Sequence, residues 1–234
     1  MLGLLAALSL AACGSPENTN TSGNANGAVA TVDNGGTYVE PPAAEPTVPK
    51  RYALDEAARR GLVEYQVTGR GGSSGAALTL KIQRLAADPI EVYVAPGTVF
   101  NTGSKGVQSM VARSIVKEIA EAAAEQIAEA ALEESGVVEL VDDAVHNFLV
   151  EAYCRDFELA NPSAQDSFTV ASVDKRSAAL FQAARERGLD VTATQAAIWM
   201  DRGVTPAAIA EKFDATAADF EAASALLAQL PART

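Results

Sequence analysis

From residue 54 onward the apolar positions recur with two spacings, and the change from one to the other divides the chain. A helical run covers 54–60 and closes at Gly61, a position suited to a left-handed C-terminal cap. Stretches 62–68 and 77–83 carry β-branched and aromatic residues in partial alternation, the mark of strands. Gly69-Arg70-Gly71-Gly72-Ser73-Ser74-Gly75 lies between them. It lacks the Lys-Ser/Thr of a phosphate-binding loop and leads into a strand instead of a helix, so it reads as a hairpin connection. Further strands are expected at 90–95, 98–101 and 107–111, with a turn at Pro96-Gly97. Short strands set off by turn signals predict a small antiparallel β-sandwich or barrel-like unit over 51–112.

Beyond residue 112 the spacing becomes helical. Ile115, Ile119, Ala123, Ile127 and Ala130 fall on one helical face, and Glu121, Glu125, Glu129 and Glu133 form a stripe on another. A straight row of carboxylates does not wrap an ion with the six to eight oxygens calcium takes, so this stripe reads as a solvated face. Ser135-Gly136 breaks the run. A second amphipathic helix is expected through Val137, Val141, Ala144, Val145, Phe148 and Ala152, ending at Tyr153-Cys154. Asn161-Pro162-Ser163 marks a loop, 167–172 another strand, and three helices close the chain. The first spans 174–187, the second begins near Thr192, and the third opens at Thr205-Pro206, with Pro at the first helical position. The predicted fold class is α+β: the β unit, then a mainly helical unit over 113–234.

Composition narrows the function. The 18 basic and 30 acidic residues leave a net charge of −12. Nucleic-acid binding needs clustered Lys and Arg, so no nucleic-acid partner is expected. One histidine and two cysteines are too few for a structural zinc site. His146 precedes Cys154 by eight residues, but Asp142 and Asp143 sit one helical turn before it and explain it as a surface ion pair. No catalytic residue, metal ligand or cofactor is expected, and the chain does not read as an enzyme.

The N-terminus is an address. Residues 1–12 form an unbroken apolar run, shorter than the roughly 20 residues a membrane span needs and of the length of a secretion signal. Leu10-Ala11-Ala12-Cys13 resembles the lipobox of bacterial lipoproteins. That resemblance implies cleavage before Cys13, acylation of its thiol and new amino group, and anchoring to the membrane through the attached chains, palmitate-type acyl groups among them. Met1 leads directly into leucine where such signals open on Lys or Arg, so a start further upstream is expected. Gly14 stands where an inner-membrane retention signal has Asp, which favours the outer membrane or cell surface. Residues 13–50 then form the lipidated terminus and a Gly-, Asn- and Pro-rich linker with an r.m.s. reach of about 35 Å.

With Cys13 lipidated, Cys154 is an odd cysteine in an exported protein, and either a free buried thiol or a thiol with a partner. Thr194-Gln195-Ala196-Ala197-Ile198-Trp199-Met200 resembles the Thr-Gln-x-x-apolar-Trp-apolar signature of the thioester domains of Gram-positive surface adhesins. The resemblance implies Cys154, preceded by Tyr153, as the sulfur donor and Gln195 as the acyl donor, with Thr194 and Trp199 as signature neighbours. It also implies surface binding or adhesion, with an extracellular protein or other amine-bearing ligand as partner. A second account stands beside it. Thr192-x-x-Gln195 has the spacing of a capping box, which would make Gln195 a helix cap and Ala196, Ile198 and Trp199 core contacts. On that account the chain is a structural or scaffolding envelope lipoprotein with no chemistry.

Overall fold

The computed structural model describes residues 48–119 and 136–231, all within one compact unit, Val48–Thr234. The expected signal sequence 1–12, Cys13, the expected linker as far as residue 47 and the expected glutamate stripe 121–133 lie outside the described residues.

The architecture is α+β, with strands first and helices last. The strands are β1 (Lys50–Ala53), β2 (Val63–Gly69), β3 (Leu78–Arg84), β4 (Ile90–Tyr93), β5 (Thr98–Thr102), β6 (Met110–Glu118), β7 (Val137–Leu140), β8 (Val145–Cys154) and β9 (Ser167–Val173). A short helix, α1 (Leu54–Arg59), follows β1, and α2 (Lys175–Glu186), α3 (Val191–Asp201), α4 (Pro206–Ala210) and α5 (Ala217–Leu227) end the chain. Six strands close an antiparallel barrel in the order β2-β3-β8-β6-β5-β9, with β9 returning to β2. The other three form a small sheet, β1-β4-β7, in which β1 and β4 run parallel.

The helices expected over 115–130 and 137–152 are corrected where they are described. Residues 110–118 and 145–154 are the two longest neighbours in the barrel, and 137–140 is a strand of the small sheet. Two features produced the helical spacing. The β6–β8 ladder shifts register between Ala112 and Ser114 and again between Ile115 and Lys117, so the inward residues Met110, Ala112 and Ile115 lose strict alternation. Strand β8 is covered on both faces. Phe148, Val150, Ala152 and Cys154 join the barrel interior, while Tyr153 joins the layer beneath the helices. A strand buried on both sides has no period of two to read. The change from strand to helix therefore falls after Val173, not at 112.

The C-terminal helices form where local signals place them. The Asp174 side chain accepts from the backbone N–H groups of Arg176 and Ser177 at the start of α2. Pro206 follows the N-cap Thr205, and Thr216 with Asp219 makes a reciprocal capping box on α5. Helix α3 differs in kind, because every residue from Ala193 to Trp199 is buried. It packs on α2, α4, α5 and β8, so no face of it is left for water.

The barrel is tied to α2 at one tight point. Gly97, in the turn before β5, has φ +85°, its carbonyl accepts from the N–H of Asp174 at 2.8 Å, and a Cβ there would sit 2.4 Å from the Asp174 carbonyl oxygen. Gly97→Ala combines a left-handed backbone with a backbone clash and is expected to cost more than about 2 kcal/mol. Gly103→Ala, with open space around it, serves as the control. Urea unfolding of both variants checks this, and equal midpoints would remove Gly97 as the tie.

Candidate functional site

Cys154 is the last residue of β8, and strand alternation turns its side chain into the barrel interior while Tyr153 turns to the helices. Its Sγ lies 3.5 Å from Met110 Sδ, directly opposite in the β6–β8 register, and 3.7 Å from Asn161 Oδ1. The thiol is fully buried and forms no disulfide. Burial, and after it the negative charge of Asp156, pushes its pKa far above the ordinary thiol value, so the sulfur is held as neutral S–H.

Gln195 reaches this residue from α3. Its Oε1 accepts from the Cys154 backbone N–H at 3.0 Å, and its Nε2 donates to the Cys154 carbonyl at 2.9 Å. Both side chains are 0% exposed. The Cys154 N–H is shared, since it also donates to the Ser73 carbonyl at 2.7 Å. The glycine-rich connection between β2 and β3 thus lies along the end of β8, with the Gly75 carbonyl accepting from Ala152 N–H at 2.8 Å. It is a hairpin connection, as expected.

The capping-box account of Gln195 is corrected. The N-cap of α3 is Asp190, whose side chain accepts from Ala193 N–H at 2.8 Å, and Gln195 points across to the barrel instead of back along its own helix. An all-buried helix leaves a glutamine there no water, so its amide must find protein partners, and the end of β8 supplies two.

The remaining signature residues are placed around this contact. Thr194 donates through Oγ1 to the Asp190 carbonyl at 2.6 Å, a bond within its own helix. Trp199, one turn beyond Gln195, stands edge-on between Phe157 and Phe213, both centroids 5.1 Å away. Tyr153 packs on Phe181 and donates to buried Glu151, which also pairs with Arg113. Burial and the adjacent carboxylate raise its phenol pKa. The sequence did not single out Ser73, Met110, Gln108 or Asn161. Gln108 Nε2 donates to Asn161 Oδ1 at 2.8 Å, fixing the amide that faces the sulfur. The only sequence signal at Asn161 was the turn dipeptide Asn161-Pro162.

Asp174 joins the segments that follow the two site residues. Arg155, next to Cys154, lies 3.6 Å from its Oδ2, and Arg202, just past α3, lies 3.3 Å from the same oxygen. Burial works to raise the Asp174 pKa, but hydrogen bonds from Ser177 and the Arg155 charge outweigh it and hold the carboxyl below the usual range. Between these segments a groove of about 550 Å³ opens, lined by Asp156, Phe157, Glu158, Gly203 and Thr205 among others. It adjoins the chain immediately after both Cys154 and α3.

His146 belongs to a different region. It is the second residue of β8, with Nδ1 2.7 Å from Glu118 Oε1 and Nε2 2.8 Å from Asp142 Oδ1. The ion pair with Asp142 is present, on a strand end and not on a helix. Among the described residues no group of His, Cys, Asp and Glu is arranged to hold a metal, and no helix is long and apolar enough to cross a membrane. Compared with known protein families, curated proteins and solved structures, the chain matches none.

Two outcomes follow from these geometries. Gln195→Leu removes both bonds to Cys154 and strands the buried Cys154 carbonyl, so urea unfolding should show a loss of about 1–3 kcal/mol. At His146, the hydrogen bond it donates to Glu118, followed by that to Asp142, raises the pKa above the ordinary 6.5. A raised folded-state pKa gives stability that is complete below about pH 6.5 and is lost as pH rises through the folded value. Thermal melts from about pH 6 to 8 should therefore fall modestly with pH in the native chain and flatten in His146→Gln.

Proposed function

We propose that the chain is an exported, lipid-anchored surface-binding protein whose folded unit joins Cys154 Sγ to the side-chain carbonyl carbon of Gln195 in a thioester, and uses it to acylate amines on a target. The observation that carries this reading is the double hydrogen bond from the Gln195 carboxamide to the Cys154 backbone, in a site with no solvent exposure. It puts the amide on the same residue as the thiol and fixes the plane of the amide. The Cys154 N–H bonded to Oε1 is a donor to the oxygen that gains negative charge when sulfur attacks the carbon.

The step balances without an oxidant. Sulfur bonds to the Gln195 side-chain carbonyl carbon, the C–N bond breaks, and the thiol proton leaves with the amide nitrogen as ammonia. An incoming primary amine later attacks the same carbon, forms a new amide to the target and returns the thiol. Burial protects the thioester from hydrolysis in the interval, and an exposed thiol ester would not persist. The glycine connection at Ser73 and the groove beside Asp156 are the elements adjoining the site through which a target amine would come.

A specific observation favours the second reading, a scaffold lipoprotein in which Gln195 is a structural staple. The thiol is pushed strongly toward its neutral form, and both polar ends of the amide are already bonded. The two readings separate in one experiment, peptide mass mapping of the purified full chain before and after methylamine. The thioester reading expects a Cys154–Gln195 crosslink lighter by one ammonia, methylamine on Gln195 after treatment, and neither in Cys154→Ala. A full-mass chain whose Cys154 thiol is titrated on unfolding would rule out the covalent mechanism.

A further inference from the structure

A second concavity, of about 380 Å³, is lined by Arg51 of β1, Arg113 and Ser114 of β6, and Arg185 of α2, with Tyr93 and Val137 among the apolar walls. The chain has 30 acidic residues against 18 basic ones, yet among the described residues three arginines and no Asp or Glu line this cavity. Three elements far apart in sequence bring them there. Arg51 Nε is held by Glu91 Oε2 at 2.7 Å and Arg113 Nη1 by Glu151 Oε1 at 3.1 Å, while Arg113 and Arg185 engage further groups of the protein. A guanidinium carries five N–H donors in a planar fork, so such contacts orient it without exhausting it. Arg185 also sits in the last turn of α2, where a cation is favoured by the helix dipole.

Ser114 supplies an independent observation. It is 4% exposed, lines the cavity, and its Oγ has no hydrogen-bond partner among the described residues. A buried hydroxyl in a native structure is ordinarily matched, and the unmatched one here lines, together with three arginines, a cavity large enough for a small molecule.

We infer that this cavity is a binding site for a small organic anion, with a carboxylate received by the arginines and the Ser114 hydroxyl and an apolar body against Tyr93 and Val137. The site shares none of these residues with the Cys154–Gln195 pair and is independent of the function proposed above.

The test is an NMR titration of the full chain with benzoate, its neutral counterpart benzamide, and inorganic phosphate. Benzoate should saturate with shifts at Tyr93, Ser114 and Val137, and benzamide should bind at least about tenfold more weakly because it lacks the charge. Arg185→Gln, on an exposed side chain, should weaken benzoate several-fold while lowering the melting temperature only slightly, circular dichroism confirming that the fold is kept. Ser114→Ala should also weaken it while leaving the fold as stable as before, since it removes an unmatched hydroxyl. Equal binding of benzoate and benzamide, unchanged affinity in both variants, or no saturable benzoate binding would overturn the assignment. Phosphate binding without benzoate binding would overturn the organic class.

Discussion

The last seven residues of β8 are buried on both sides, by the barrel interior on one and, on the other, by the C-terminal helices at Tyr153 and by Val116, Ile119 and Ala76 at Leu149, and the remaining structure is organised around that constraint. A strand in that position cannot leave backbone or polar side-chain groups to water. Its final residue is therefore met by the Ser73 carbonyl from the glycine connection and by the Gln195 amide from α3. The same requirement applies to α3, whose buried run contains two polar side chains, Thr194 and Gln195. One is satisfied within its helix and the other only by the barrel. The Cys154–Gln195 contact is thus where the polar needs of a doubly buried strand and an all-buried helix are met together.

The surroundings of this contact are built for rigidity more than for titration. Asn161 is fixed by Gln108, Arg155 and Arg202 converge on Asp174, and Trp199 is held edge-on by two phenylalanines. A group held this firmly has little reorganisation left to undergo when a bond forms, which suits both a pre-positioned acyl donor and a permanent staple. The neutral thiol weighs toward the staple, and the planar amide held on the Cys154 backbone toward the acyl donor.

The sequence disclosed the fold unevenly. Strands exposed on one face, such as β2 and β4, and helices with side-chain caps, such as α2 and α4, were legible because their signals are local. Strands β6 and β8 read as helices because register shifts stretched one pattern and two-sided burial erased the other. In the site, Cys154 and Gln195 stood out by residue type and by the Thr-Gln-x-x-apolar-Trp spacing. Asn161, Met110 and Ser73 did not, since their roles arise only when β6, the 155–163 segment and the glycine connection meet at one strand end. The Arg51, Arg113 and Arg185 grouping was invisible for the same reason, being an accident of topology and not of spacing.

The barrel is closed along its narrowest seam by β2 and β9, which share only the pairs Val67↔Phe168 and Thr68↔Ser167. Those partners are the most widely separated in sequence of any in the barrel, so this seam carries its largest loop-closure entropy for the fewest ladder bonds. The segment that carries Gln195 lies beyond it and leaves the ribosome after it. The thiol therefore comes before its amide partner in the chain, with the last barrel strand between them. Sulfur and carboxamide are supplied from either side of that seam, and it takes both the closed barrel and the all-buried helix to enclose them.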